Sequence, residues 1–154
     1  MDEATYLALC QREMHTLYRI ACSIVGSPQD AEDAVQQALL NAWRAREKAR
    51  SGSERAWMMQ ILVNECRSLL RKRRRLIPVE EVPCRSAGLP EAGLRDALRA
   101  LPESLRTPLL LKYMEGMTEK EVAAALHLSI PGVKNRLYRA RKALQKQLDE
   151  EVSP

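Results

Sequence analysis

Apolar residues return every three or four positions along most of this chain, the spacing that places them on one face of an α-helix. From Tyr6 to Val25 the series Leu7, Met14, Leu17, Tyr18, Ala21, Ile24 and Val25 predicts a first helix, and Gly26 supplies its C-terminal stop. "SPQD" then predicts a new start, with Ser27 as N-cap and Pro28 at the first helical position, where no amide donor is needed. In that second helix Ala31, Val35, Leu39, Ala42 and Trp43 share the inner face, while Asp33, Gln36, Gln37 and Leu40 point away. After a polar break, "EKARSGSE", the stretch "RAWMMQILVNECRSLLRKRRR" predicts a helix that buries Trp57, Ile61, Leu62 and Leu69 and runs out into basic residues. Four or so helical segments are expected in this half.

Periodicity then lapses. "LIPVEEVPCRSAGLPEAG" holds three prolines and two glycines and predicts a flexible linker over 76–94, dividing a domain 1–75 from a domain 95–154. In the second domain "LPESLRTPLLLKYMEG" is helical and ends at Gly116, with Pro108 marking a first turn or a kink. Thr118 and Glu121 have the spacing of a capping box before a short helix with Val122, Ala123 and Leu126 inside. "HLS" makes a turn, and Ser129 caps a last helix. Two short helices joined by such a turn, the first carrying a small Ala where the pair crosses and the second amphipathic and basic, match a helix-turn-helix. The fold class expected is all-α: two small helical domains.

Composition supports this. The chain has 154 residues, no Phe and only 4% aromatic residues, so Leu, Ala, Val and Ile must fill the core. The net charge is +5, but its distribution is more informative. Arg67, Arg71, Lys72, Arg73, Arg74 and Arg75 form one run without an acid; Lys134, Arg136, Arg139, Arg141, Lys142 and Lys146 form another. Between them Glu80, Glu81, Glu91 and Asp96 outnumber Arg85, Arg95 and Arg99. Two separated basic patches suit a polyanion held at two places, although each alone also suits a solvated helix face. "RKRRR" further complements a helix C-terminus, and is compatible with a solubilising tail or a nuclear address.

On the last helix, stepping 100° per residue puts Val133, Leu137, Ala140 and Leu144 on one stripe. Asn135, Tyr138, Arg139, Lys142 and Lys146 lie opposite, with Lys134, Arg136 and Arg141 on the flanks. Arg and Lys can donate to guanine and Asn can pair with adenine. A membrane helix would spend its apolar stripe on lipid, whereas this stripe is needed to hold the motif together, which favours DNA. No stretch reaches the roughly 20 apolar residues that a membrane span requires. The start "MDEATYLALC" lacks a basic leader, so the chain reads as cytoplasmic, with no membrane insertion.

Cys10, Cys22, Cys66 and Cys84 show no CxxC spacing, and Cys22 and Cys66 read as core thiols. Cys10, His15 and Cys22 are a loosely spaced zinc alternative, which would make the chain a metal or redox sensor. An enzyme is disfavoured by two distant histidines and by the lack of a Gly-rich phosphate loop or clustered carboxylates.

The ordered set "SPQDAEDAVQQALLNAWRA", "RAWMMQILVNECRSLLRKRRR" and "LPESLRTPLLLKYMEGMTEKEVAAALHLSIPGVKNRLYRARKAL" resembles the two conserved-core domains of a bacterial sigma factor, best the small extracytoplasmic-function group with regions two and four alone. A LuxR-type regulator would share only the last part. The resemblance implies a protein that carries core RNA polymerase to promoter DNA, needs no cofactor or metal, and has an anti-sigma factor as an expected partner. It implies that Asp33, Gln36, Gln37 and Leu40 dock on the polymerase clamp helices, with Gln37 where the family commonly has Glu. Asn64 matches a base-contacting Asn of the downstream promoter element, and Arg67, Arg71, Lys72 and the rest of the cluster would hold phosphates. "SGSERAW" resembles the loop that captures a flipped base, but lacks the family's aromatic residues. Lys134, Asn135, Arg136, Tyr138 and Arg139 match the upstream-element readers within "VKxRLxRAR". The linker resembles the segment directed toward the RNA exit channel. The alternative within DNA binding is a stand-alone helix-turn-helix regulator whose first half dimerises.

Overall fold

The computed structural model describes residues 1–50, 52–76 and 92–152, and every element in them is helical. Three helices make the first domain: α1 (Glu3–Val25), α2 (Pro28–Arg44) and α3 (Glu54–Leu76), with a single 3-10 turn at Arg46–Lys48 between the last two. Four make the second: α4 (Ala92–Ala100), α5 (Glu103–Tyr113), α6 (Glu119–Leu126) and α7 (Ile130–Val152). Glu80, Glu81, Glu91, Cys84 and Ser51 lie outside the described residues, as do the side chains of Arg74 and Arg75. Helix extends past both ends of the expected linker, since Leu76 belongs to α3 and Ala92–Leu94 to α4. The sequence reading had no separate helix α4, because its nine residues follow directly on Pro- and Gly-rich chain.

Local chemistry explains the ends. The Asp2 carboxylate accepts from the Thr5 amide at 2.8 Å and opens α1. Gly26 closes it in the left-handed conformation (φ 78°), as expected. Ser27 and Pro28 do start α2, but the Ser27 hydroxyl makes no capping bond; the fixed φ of proline carries that start. The capping box is complete: Glu121 N donates to Thr118 Oγ1 at 3.1 Å and Thr118 N to Glu121 Oε1 at 3.0 Å. Pro108 lies within α5, neither at its first turn nor at its end.

The buried faces agree with the periodicity where it was strong. Ala31, Val35 and Ala42 of α2 are buried, as are Val122, Ala123 and Leu126 of α6 and Val133, Leu137 and Ala140 of α7. Two assignments need correction. Leu7 and Met14 of α1 are 50% and 40% exposed, and Tyr6, Leu9 and Cys10 take the inner face instead. In α3 the fully buried residues are Met58, Met59, Leu62, Val63 and Cys66, whereas Trp57, Ile61 and Leu69 pack at the margin of the core. Tyr6 anchors α1 on α2 by donating to the Leu39 carbonyl and setting its ring edge-on to Trp43, 5.1 Å between centroids.

The two domains pack together through α3 against α6 and α1 against α5. Their seam contains charge. Glu115, just beyond α5 and only 8% exposed, accepts from Nε and Nη2 of Arg19 from α1, at 2.8 and 3.0 Å. Arg55 of α3 donates to the Glu115 backbone carbonyl at 3.1 Å and to the carboxylate of buried Glu13 at 3.2 Å. A carboxylate removed from water needs paired donors of this kind, or its burial would cost several kcal/mol.

Candidate nucleic-acid and polymerase interfaces

Helix α7 carries the upstream candidates. Its start is fixed by Ser129, whose Oγ accepts from Gly132 N at 3.1 Å. With Val133, Leu137 and Ala140 sunk into the domain, Lys134, Asn135, Tyr138 and Arg139 emerge together on the exposed side. Tyr138 is 55% exposed, with Lys142 Nζ 5.5 Å from its ring centroid one turn on. Lys134 Nζ lies 3.9 Å from Glu119 Oε2, a contact loose enough to exchange for a phosphate or a base edge.

Arg136 departs from the set. It is half-buried, and its Nη1 donates to the Ser104 carbonyl at 3.2 Å. The reason lies four residues beyond Ser104, where Pro108 has no amide hydrogen to offer that carbonyl. Arg136 thus replaces a missing helix bond and ties α7 to α5. Arg141 makes a similar tie, donating to the Tyr113 hydroxyl at 2.7 Å.

The downstream candidates lie on α3 and divide more sharply. Asn64, Arg71 and Lys72 are exposed. Arg67 is not free: Nε and Nη2 reach Glu103 Oε1 of the second domain at 3.3 and 3.2 Å, and the same oxygen accepts from Thr107 Oγ1 at 2.8 Å. Arg73 of the basic run is bound to buried Asp30 in the first turn of α2, at 2.6 Å, and serves the fold. The polymerase candidates Asp33, Gln36, Gln37 and Leu40 all lie on the open face of α2, with Leu40 43% exposed. Gln37 donates to Asn41 at 3.0 Å, and Asn41 to Glu65 of α3 at 3.2 Å, so this face is braced from behind.

The zinc alternative finds no support in the geometry. Cys10 and Cys22 are buried and His15 is exposed, and no group of three or more His, Cys, Asp or Glu suited to a metal ion occurs among the described residues. Burial pushes the Cys66 thiol up to about 12, with the Glu65 and Glu103 carboxylates adding to the effect, which leaves it a poor nucleophile at neutral pH. No helix among the described residues is long and apolar enough to cross a membrane.

The interdomain set of Glu13, Arg19, Arg55 and Glu115 escaped the sequence reading. Glu13 was discoverable, because it sits four residues from both Leu9 and Leu17 on a buried stripe. Glu115 and its partners are 60 and 96 residues apart, and no spacing signals such a pairing.

A three-helix domain followed by a helix-turn-helix domain, each with an exposed polar face, defines a class of two-part DNA-binding factor. Residues 9–76 match the family model Sigma-70 region 2, and residues 92–144 match Sigma-70, region 4. RNA polymerase sigma factor SigV of Bacillus subtilis is 32% identical over 87% of this chain and 85% of its own length. RNA polymerase sigma-H factor of Pseudomonas aeruginosa is 29% identical over 96% of this chain and 88% of its own. Among solved structures, the sigma factor RpoE in complex with the anti-sigma factor NepR from Bartonella quintana aligns with a TM-score of 0.75 and 29% identity, covering 94% of this chain and 96% of that one. CnrH in complex with the cytosolic domain of CnrY gives 0.74 and 30%, over 97% and 90%. The chain belongs to the extracytoplasmic-function group of the sigma-70 family.

Proposed function

We propose that this protein directs RNA polymerase to a set of promoters and helps to open the DNA there, with α7 reading the upstream element and α3 holding the strand that separates downstream. The carrying observation is the division of α7, in which Val133, Leu137 and Ala140 are at most 1% exposed while Lys134, Asn135, Tyr138 and Arg139 all face outward. Lys134, Asn135 and Arg139 are the base readers, with Tyr138 packing beside them and Arg136 acting through its bond to Ser104. Asn64, Arg71 and Lys72 engage the downstream strand, Arg67 joins them once released from Glu103, and Asp33, Gln36, Gln37 and Leu40 dock on polymerase. The domain division falls between α3 and α4, near the expected 1–75 and 95–154, with the segment between directed toward the RNA exit channel.

The protein performs no covalent chemistry in this reading. Contacts to duplex DNA are exchanged for contacts to unpaired bases, whose unstacking costs a few kcal/mol each and is offset by pocket and phosphate contacts. An anti-sigma factor is a partner, as in the complex of the sigma factor RpoE with the anti-sigma factor NepR, and the protein acts in the cytoplasm. Run-off transcription with core polymerase on genomic fragments tests the proposal: discrete transcripts that require the protein are expected. Tight, sequence-specific binding by the free protein, without transcripts, would instead favour a stand-alone regulator.

A further inference from the structure

Lys134 is the flexible member of the reader set on α7. Arginine carries a planar fork of fixed donors, whereas a lysine ammonium swings on a long stem and meets phosphates and bases alike. A lysine at the start of a recognition helix adds selectivity only where something limits that swing. Lys134, with its side chain 63% exposed, has such a neighbour in Glu119 at the start of α6, whose Oε2 lies 3.9 Å from its Nζ. The other oxygen of that carboxylate is taken, because Lys112 of α5 donates to Glu119 Oε1 at 3.4 Å. Glu119 is thus held from α5 and directed at α7.

Three features separate Glu119 from an ordinary first-turn acid. The amides at the start of α6 do not need it, since Thr118 and Glu121 already complete the capping box. An exposed ion pair adds little to fold stability, so the consequence of this one lies in where it holds the ammonium. At 3.9 Å it is also beyond hydrogen-bond reach, and the ammonium keeps its donors open. In a helix-turn-helix the first helix crosses the DNA backbone while the start of the second meets base edges. A carboxylate at the head of the first helix therefore repels phosphate and attracts the ammonium beside it.

We propose that Glu119 is a positioning residue that sets specificity in the upstream element. Through its pair with Lys134 it keeps that ammonium from the phosphates and presents it to a base edge, such as O6 and N7 of guanine. This rests on the assignment of α7 as the upstream reader. Removing the carboxylate exchanges selectivity for affinity: a freed Lys134 joins the phosphate contacts, which strengthen binding to any duplex and carry no sequence information. Lys112 sets the direction of the carboxylate and acts one step further from the DNA.

Competition binding with the polymerase complex tests this, on one promoter from which the wild type initiates and on single-base variants of its upstream element. Lys134→Ala first locates the position that Lys134 reads, as the one where base preference collapses. There Glu119→Gln should lower the preference about fivefold. Binding to mismatched variants should rise about twofold, with a salt dependence steeper by about one ion. Glu119→Asp, which keeps the charge, should restore part of the preference, and Lys112→Ala should lower it about twofold. In the Lys134→Ala background, Glu119→Gln should change the preference no further. Thermal unfolding of Glu119→Gln should stay close to that of the wild type; if the variant does not fold, Lys112→Ala decides instead. Unchanged preference in the folded variant would overturn the proposal. So would a loss that persists without Lys134, since Glu119 would then touch DNA or shape the domain on its own account. Preferences that survive Lys134→Ala at every position would instead sink the reading of α7 on which the proposal rests.

Discussion

Helices α3 and α7 are each 23 residues long and each carries an unopposed basic run, yet the protein treats them differently. On α7 the candidate readers Lys134, Asn135, Tyr138 and Arg139 stand in solvent, and the arginines engaged with neighbours, Arg136 and Arg141, are tied within their own domain. On α3 Arg73 is likewise tied within its own domain, to Asp30 of α2, but Arg67 reaches Glu103 and Arg55 reaches Glu115 of the other domain. One basic helix is a prepared surface and the other is partly spent on cohesion. A run of arginines in a sequence therefore sets an upper limit on the cations a polyanion can meet, and the tertiary partners decide how many remain.

The largest expected effect falls on the prepared surface. Lys134→Ala combined with Arg139→Ala should remove upstream-element recognition, each substitution costing about 1–3 kcal/mol of binding. Polymerase binding should be unaffected, since neither residue touches the α2 face. Footprinting of the polymerase complex and a pull-down with core polymerase check the two halves. Loss of both activities would break the contrast between α7 and the first domain.

Next in size is the docking face of the first domain. Asp33→Ala with Gln36→Ala should weaken polymerase binding by about 1–2 kcal/mol, in the range of interface residues that matter singly. Competition against a labelled wild type measures it, and unchanged affinity would remove α2 as the docking surface. Arg136→Ala sharpens the α7 side. It leaves the exposed Ser104 carbonyl to water in place of its donor, so thermal unfolding should show a loss of about 0.5–1 kcal/mol. Arg136→Lys should restore part of this, a result that a pure base reader would not give.

Much of this was legible before the structure, and the failures have physical causes. The helix-turn-helix was readable because its signals are local: the Thr118–Glu121 box, the Ser129 cap and the Val133–Leu137–Ala140 stripe each lie within two turns. The face of α2 was readable for the same reason. The phase of α1 slipped because Leu7 and Met14 are apolar yet exposed, while Tyr6 and Cys10 compete for the same turns. Periodicity cannot say which of two overlapping stripes meets the core. Helix α4 was missed because a nine-residue helix beside proline- and glycine-rich chain has too few turns to establish a period. Arg67 and Arg136 read as freely exposed because sequence spacing places a side chain on a face but cannot show a carboxylate or a bare carbonyl arriving from another helix.

The smallest effect tests whether the buried side of α3 is as well sealed as that of α7. Cys66 is fully buried, and its thiol is pushed up to about 12 from an ordinary value of 9.0. The sign follows from the proton count. Between these values the unfolded chain releases the thiol proton and the folded chain keeps it, so the folded state binds more protons and stability falls as pH rises. The loss should begin near pH 9 and continue toward pH 12, with a slope of at most about 1.4 kcal/mol per pH unit from this group. Cys66→Ala should be less stable at neutral pH, because it leaves a small cavity in the core, but should show a shallower alkaline decline than the wild type. Chemical denaturation at a series of pH values between 8 and 11 measures both curves. Parallel declines would mean that water reaches the thiol and that the buried face of α3 opens more readily than its packing indicates.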